Sequence, residues 1–329
     1  MKDSVLASRR YHPPNNVSPK GAGREIKEGL TALQKRIPSK YFYDARGSRL
    51  FQKICRQPEY YLTRTEASIL ERIAPEFIKT VANKDLVELG CGSEKKILIL
   101  LGAADKNTRA GMRYIPMDIC ETAVRESSLN LRTKYPELRV HELIADFTSQ
   151  MDLVPAERSK VLCFLGSTIG NFSVDQSFLF LKNIAENMNG NDRLLIGFDM
   201  LKSPRILHAA YNDAAGITAE FNRNILNVIN HKLNGNFEPR LFDHLAFFNA
   251  GESRIEMHLK ANRDCMVTLK SVDLQVAFKK ADTIHTEDSH KFSPARIEAL
   301  ARRSGLIIYD SYTDSSKWFS LVVMGRGRC

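Results

Sequence analysis

Leu86-Val87-Glu88-Leu89-Gly90-Cys91-Gly92 is an apolar run that breaks into a Gly-x-Gly turn, and two later stretches repeat its plan: Tyr114-Ile115-Pro116-Met117-Asp118 and Leu143-Ile144-Ala145-Asp146-Phe147. Each run ends in a small or acidic residue. Gly90 and Gly92 let a backbone turn come close to a ligand. Asp118, 28 residues after Gly90, stands where the second strand of a doubly wound sheet meets ribose hydroxyls. Asp146, a further 28 residues on, is placed to reach a base edge. Taken singly, each is also a plain tight turn or a helix cap. In register, the three predict a nucleoside held across strand ends.

A dinucleotide loop usually carries a third glycine that lets helix and strand close around a pyrophosphate. Here Gly92 is followed by Ser93-Glu94-Lys95-Lys96, which offers no phosphate cradle. Glu88, just before the turn, is expected to repel a pyrophosphate and to suit a ligand bearing a sulfonium and an ammonium. These features favour S-adenosylmethionine over NAD.

At 329 residues and 43% hydrophobic, the chain has enough apolar surface for a large core spread over one long domain or two ordinary ones. No run reaches roughly 18 apolar residues, and Met1-Lys2-Asp3-Ser4-Val5 is followed by no apolar segment. Neither a membrane span nor a secretory signal is expected, and the cytoplasm is the default location. Cys55, Cys91, Cys120, Cys163, Cys265 and Cys329 show no Cys-x-x-Cys spacing, which argues against a structural zinc site and a disulfide framework. Reduced thiols are expected. The net charge of +10 raises the question of a nucleic-acid partner. Its basic residues are scattered in small groups such as Arg9-Arg10, Lys279-Lys280 and Arg302-Arg303, without interleaved aromatics. A solvated surface, no nucleic-acid partner and a monomer are the expectations.

Residues 1 to about 22, with Pro13-Pro14-Asn15-Asn16 and Gly21-Ala22-Gly23, read as a loose arm whose removal should spare activity. Helical periodicity begins near Glu25 and returns from Thr65 to Ala82. Strands at 86–89, 113–117, 139–144, 161–165 and 193–198 then alternate with helices at 94–104, 121–133 and 175–188, the pattern of a parallel sheet covered on both faces. After Asp199 the rhythm changes. Residues 204–233 predict two helices, and 243–279 predict strands of period two, an α+β insertion. Helix 293–304 and strands near 306–309 and 319–324 close the sheet. The expected domains are discontinuous: 66–201 with 292–329, and 1–65 with 202–291.

Phe164-Leu165-Gly166-Ser167-Thr168-Ile169-Gly170-Asn171-Phe172 leaves the fourth strand at the ligand-binding edge, although turn glycines and a capping asparagine fit the same spacing. With Lys40 to Ser48, Pro58 to Glu66, Ala209 to Gly216 and Phe221-Asn222-Arg223-Asn224, this stretch resembles the histidine-specific, S-adenosylmethionine-dependent Nα-methyltransferases of ergothioneine biosynthesis. The resemblance runs from about residue 25 to residue 325. It implies a class I (Rossmann-like) methyltransferase core with a discontinuous α+β domain that binds the amino acid. By the same resemblance Tyr60, Gly90, Asp118, Asp146 and Phe147 hold the cofactor, with Lys95 on its carboxylate. The loop is one residue shorter than the family pattern, so either Lys95 or Lys96 fills that role. Tyr43, Asn171 and Tyr211 would position the amine, and Phe51, Gly166 and Met257 would line the same pocket.

In the resembling family the positions of Glu287 and Ser289, within Thr286-Glu287-Asp288-Ser289-His290-Lys291-Phe292, contact the imidazole ring. A carboxylate and a hydroxyl serve both ring nitrogens, and left unpaired they penalise a substrate without them by as much as roughly 10⁴ to 10⁵. A capping-prone loop before helix 293 is the plain alternative. His285 and His290 flank carboxylates, but no second cluster suggests a metal, and none is expected. The expected activity is transfer of methyl groups to the α-amino group of L-histidine, giving S-adenosylhomocysteine and, on repetition, the trimethyl betaine hercynine. Two rivals stand beside it: the same fold acting on another amine or a macromolecule, and a non-catalytic cofactor-binding regulator.

Overall fold

A computed structural model describes residues 19–92 and 94–327. The strands are β1 (Lys35–Arg36), β2 (Asp85–Leu89), β3 (Arg113–Asp118), β4 (Arg139–Val140), β5 (Leu143–Ile144), β6 (Lys160–Phe164), β7 (Arg193–Asp199), β8 (Phe242–Asn249), β9 (Arg254–Ala261), β10 (Cys265–Leu269), β11 (Leu274–Phe278), β12 (Thr283–His290), β13 (Leu306–Thr313) and β14 (Phe319–Arg326). The α-helices are α1 (Pro19–Thr31), α2 (Ala45–Ile54), α3 (Tyr61–Phe77), α4 (Lys95–Ala103), α5 (Lys106–Gly111), α6 (Glu121–Lys134), α7 (Val174–Glu186), α8 (Pro204–Tyr211), α9 (Ile217–Leu233) and α10 (Pro294–Arg303). They divide into two compact units, residues 64–200 with 292–327 and residues 19–63 with 201–291. Among the described residues, no helix is long and apolar enough to cross a membrane.

The first unit is a doubly wound sheet in the order β13-β14-β7-β6-β2-β3-β4, with β5 also paired to β3. All neighbours are parallel except at β14, which runs antiparallel to both β7 and β13. This is the Rossmann-like class I methyltransferase arrangement. Alternation along each strand divides the core. Val87, Leu89, Ile115, Met117, Leu162 and Phe164 pack with α7 and α10 on one face, while Leu86, Tyr114, Val161, Cys163 and Leu195 pack with α3 and α4 on the other. From β2 the chain moves outward to β3, then returns to β6 on the opposite side of β2. That reversal opens a crevice at the carboxyl ends of β2 and β6.

The second unit carries the sheet β1-β12-β9-β8 and the hairpin β10-β11. Helix α9 packs against β8, β9 and α2. Asp44 ties these pieces together: its Oδ1 caps α2 by accepting from Gly47 N–H at 2.6 Å and also accepts from Asn224 Nδ2 of α9 at 2.9 Å.

Four details differ from the sequence reading. The expected arm lies outside the described residues as far as residue 18, but α1 already begins at Pro19. Gly23 is a packing point rather than a turn, because a Cβ there would lie 2.6 Å from Val272 Cγ1. The strand expected at 139–144 is split into β4 and β5 by His141 and Glu142. Residues 283–290, which lie beyond the strands expected at 243–279, form β12 between β1 and β9 of the second sheet.

Candidate active site

In the first unit the three motif turns are neighbours, because β2 pairs with β3 and β3 with β5. Gly90 takes a φ of +79° and donates its N–H to Met117 O at 2.8 Å. Among the described residues other than its chain neighbours, none stands within 4 Å of where a Gly92 Cβ would be, so the backbone there is open on that side. Asp118 accepts from Cys120 N–H at 2.9 Å, and burial raises its carboxyl above the ordinary range. Asp146 commits Oδ1 to the Thr148 N–H at 2.8 Å and to the Thr148 hydroxyl at 2.6 Å. Phe147 packs edge-on against Phe164 at 5.4 Å and borders Gly90. Open backbone, the Asp118 carboxylate at the end of β3 and the aromatic ring of Phe147 thus stand at the strand ends of this unit.

Gly166 and Asn171 follow β6 in the same unit. Gly166 has φ +88°, and its N–H donates to Glu66 Oε1 at 2.7 Å. A Cβ on Gly166 would also crowd Lys96 Nζ, at 2.9 Å. Lys96 Nζ lies 2.6 Å from Glu66 Oε2, whereas Lys95 is exposed. Of the two lysines, Lys96 is therefore the one whose ammonium sits at the strand ends. The Asn171 side-chain amide forms no hydrogen bond among the described residues and is half-buried. Glu88 departs from its reading: its carboxyl is hydrogen-bonded to Tyr114 Oη on the α3 and α4 face, and burial raises it to about 7.

The second unit holds a narrow, partly open cavity. Tyr43, Phe51, Tyr60, Tyr211, Met257 and Glu287 line it. Phe221 organises the aromatic wall, its ring 5.9 Å from Tyr43 and 6.1 Å from Phe51. Tyr60 stands 6.2 Å from Phe51 and 6.4 Å from Tyr211, and burial pushes its phenol well above the usual range. Glu287 is the acidic group of this apolar lining. Burial raises its carboxyl to about 8, opposed by Lys291 and reinforced by Asp288. Behind it Tyr211 Oη donates to Ser289 Oγ at 2.6 Å. Gly166 and Asn171 thus belong to the first unit, and Tyr60 to the second.

A β-bulge interrupts the register of β12 between His285 and Glu287. Met257 and Glu287 line the cavity, while Glu256, His258, His285 and Asp288 join Arg254 in a polar cluster. Candidate ligand atoms of Glu256, His258 and His285 lie within 4.8 Å of one another. Their surroundings are those of an ion-pair network. The His258 and His285 rings are stacked at 4.7 Å and 15°, which sets their in-plane lone pairs side by side instead of at a common point. Arg254 Nη2 also holds Glu256 Oε1 at 2.8 Å.

Ile54, Ala210, Thr218 and Phe221 complete the cavity wall and were not singled out as site residues. Ala210 and Phe221 lay within motifs quoted above; Ile54 and Thr218 carried no signal of their own. Asn222, from the same motif, locks the floor from outside: Nδ2 donates to His258 O at 2.9 Å, and Oδ1 accepts from Thr286 Oγ1 at 2.7 Å.

Residues 22–326 match the family model described as "Histidine-specific methyltransferase, SAM-dependent". The histidine N-alpha-methyltransferase of Mycolicibacterium smegmatis is 39% identical over 298 residues, covering 91% of this chain and 92% of that one. That of Mycobacterium tuberculosis is 36% identical with the same coverage. Ergothioneine biosynthesis protein 1 of Schizosaccharomyces pombe is 27% identical over 311 residues, which is 91% of this chain and 40% of that protein. With turns suited to a nucleoside on one unit and a polar-floored aromatic cavity on the other, the chain belongs to the S-adenosylmethionine-dependent, histidine-specific methyltransferases.

Proposed function

We propose that the protein transfers a methyl group from S-adenosylmethionine to the α-amino group of L-histidine, and that repetition yields the Nα-trimethyl betaine on a route to ergothioneine. The observation that carries this reading is the Glu287 carboxylate buried in an aromatic cavity with the Tyr211–Ser289 hydroxyl pair beside it. An imidazole offers one partner to each of those groups; an aliphatic side chain leaves both unsatisfied, and a phenol carries one polar atom for the two. Names and coverage of the two mycobacterial relatives support the same substrate.

In this assignment Gly90, Asp118, Asp146 and Phe147 hold the adenosine, Lys96 in place of Lys95 meets the carboxylate of the cofactor, and Tyr60 contributes a neutral phenol. Tyr43, Asn171 and Tyr211 orient the amine, while Phe51, Gly166 and Met257 shape the space around it. The cofactor supplies an electrophilic methyl on a sulfonium. The chain's own tasks are to align the nitrogen lone pair, exclude water and let the ammonium lose its proton first. A phenol held neutral by burial, as Tyr60 is, serves as a hydrogen-bond donor and not as the base. Water, directly or through a relay across the hydroxyl of the partly exposed Tyr43, is left to carry that proton to solvent.

Calorimetric titration of the purified protein with the free amino acids, in S-adenosylhomocysteine, tests the substrate. Histidine and its mono- and dimethyl forms should bind and others should not. Tight binding of another amino acid, or of none, overturns the reading.

A further inference from the structure

Glu287, Ser289 and Lys291 are spaced by two, so they project to one face of the chain as β12 ends. Lys291 is among the most deeply buried side chains, and its Nζ donates to Ser289 Oγ at 2.8 Å and to Tyr211 Oη at 3.2 Å. Tyr211 Oη in turn donates to Ser289 Oγ at 2.6 Å. A serine hydroxyl accepts through two lone pairs and donates one proton, and a lysine ammonium only donates. The two incoming bonds therefore fill the accepting side of Ser289. Its own proton finds no acceptor among the described residues.

We propose that Lys291 is a positioning residue that, with Tyr211, fixes Ser289 as a hydrogen-bond donor, so that the pocket accepts the substrate imidazole only in its neutral form, its N–H on Glu287 and its bare nitrogen on Ser289. This rests on the histidine reading above. An imidazolium presents N–H on both sides and would meet the Ser289 proton head-on. A neutral ring in the opposite tautomer would likewise turn its N–H towards the Ser289 proton. The pocket thus reads the protonation of the ring as well as its shape.

The test compares L-histidine with 2-fluorohistidine, whose ring stays unprotonated through mildly acidic pH. Affinities are measured by calorimetry with S-adenosylhomocysteine present, from pH 5.5 to 8.5. Taking the ratio of the two cancels titrations of the amine and of the protein. In the wild-type protein the ratio should fall about tenfold between pH 7.5 and pH 5.5, following the ring pKa of about 6.5. In Lys291→Met, Ser289 is free to turn and accept, and the fall should shrink to less than about twofold; Lys291→Arg, which keeps the donors, should restore it. A ratio that does not change with pH in the wild-type protein, or a Lys291→Met profile as steep as wild type, overturns the inference. The wild-type comparison decides even where a variant fails to fold. Absence of histidine binding at every pH would instead sink the histidine reading itself, and Ser289→Ala binding histidine as well as wild type would remove the contact on which both depend.

Discussion

The two ligand regions are built from different materials. At the strand ends of the first unit the work falls to backbone: a positive-φ glycine at 90, another at 166, and carboxylates that close short turns after β3 and β5. The cavity of the second unit is made of side chains from five separate segments, with Glu287 set among tyrosines and phenylalanines. A backbone site recognises what every cofactor molecule shares. A side-chain site recognises one ring, and it is the place where substrate choice is open to mutation.

Glu287→Ala should break that division most severely. Losing the carboxyl removes a buried hydrogen bond to the ring and leaves Ser289 to serve it alone, so kcat/KM for histidine should fall about 10²- to 10³-fold. Binding of S-adenosylhomocysteine should change by less than about twofold. A parallel loss of both in titration calorimetry would mean the regions are not separable. Asp118→Ala is the converse, with cofactor affinity weakened about 10- to 100-fold and the melting temperature held within a few degrees. Smaller again is the contrast between neighbouring lysines. Lys96→Met should weaken S-adenosylhomocysteine about tenfold, since a hydrogen bond to a charged group contributes about 1.5 kcal/mol, and Lys95→Met should leave it within about twofold. The reverse ranking would return the role to Lys95. Because Glu66 is 1% exposed and loses its ion-pair partner, Lys96→Met should also lower the melting temperature.

The same contrast explains what was legible in the chain. Gly90, Asp118 and Asp146 announce themselves because a parallel sheet repeats one unit, strand then turn then helix, and the ligand edge recurs at a constant interval. The β12 segment was opaque for the opposite reason. Its two faces carry Glu287 and Ser289 on one side and Asp288 and His290 on the other, so no apolar alternation marks a strand, and a bulge shifts the period at its start. Tyr43, Tyr211 and Met257 look like half-buried residues of any core until distant segments bring them together, which is why a family resemblance, and not periodicity, pointed to them. Glu88 shows the limit of local reasoning. Its place before the turn suggested a ligand contact, but strand alternation turns its carboxyl to the face that carries Tyr114.

The smallest predicted effect concerns stability and tests how deeply the cavity floor is desolvated. Glu287 is held by burial with a carboxyl raised to about 8, against an ordinary value near 4.5 in the unfolded chain. Between those values the folded state keeps a proton that the unfolded state has released, so stability is greatest below about pH 4.5 and declines as pH rises towards 8. Lys291 opposes this shift and Asp288 adds to it, while the Tyr60 phenol beside the cavity stays neutral over that range. Glu287→Gln removes the titration while keeping the shape. The difference in melting temperature between variant and wild type, followed from pH 5 to pH 8, should therefore move by a few degrees in favour of the glutamine. A difference that stays constant across the window would mean water reaches the carboxylate in the folded protein, and the cavity floor would then be as open as the turn at Gly92.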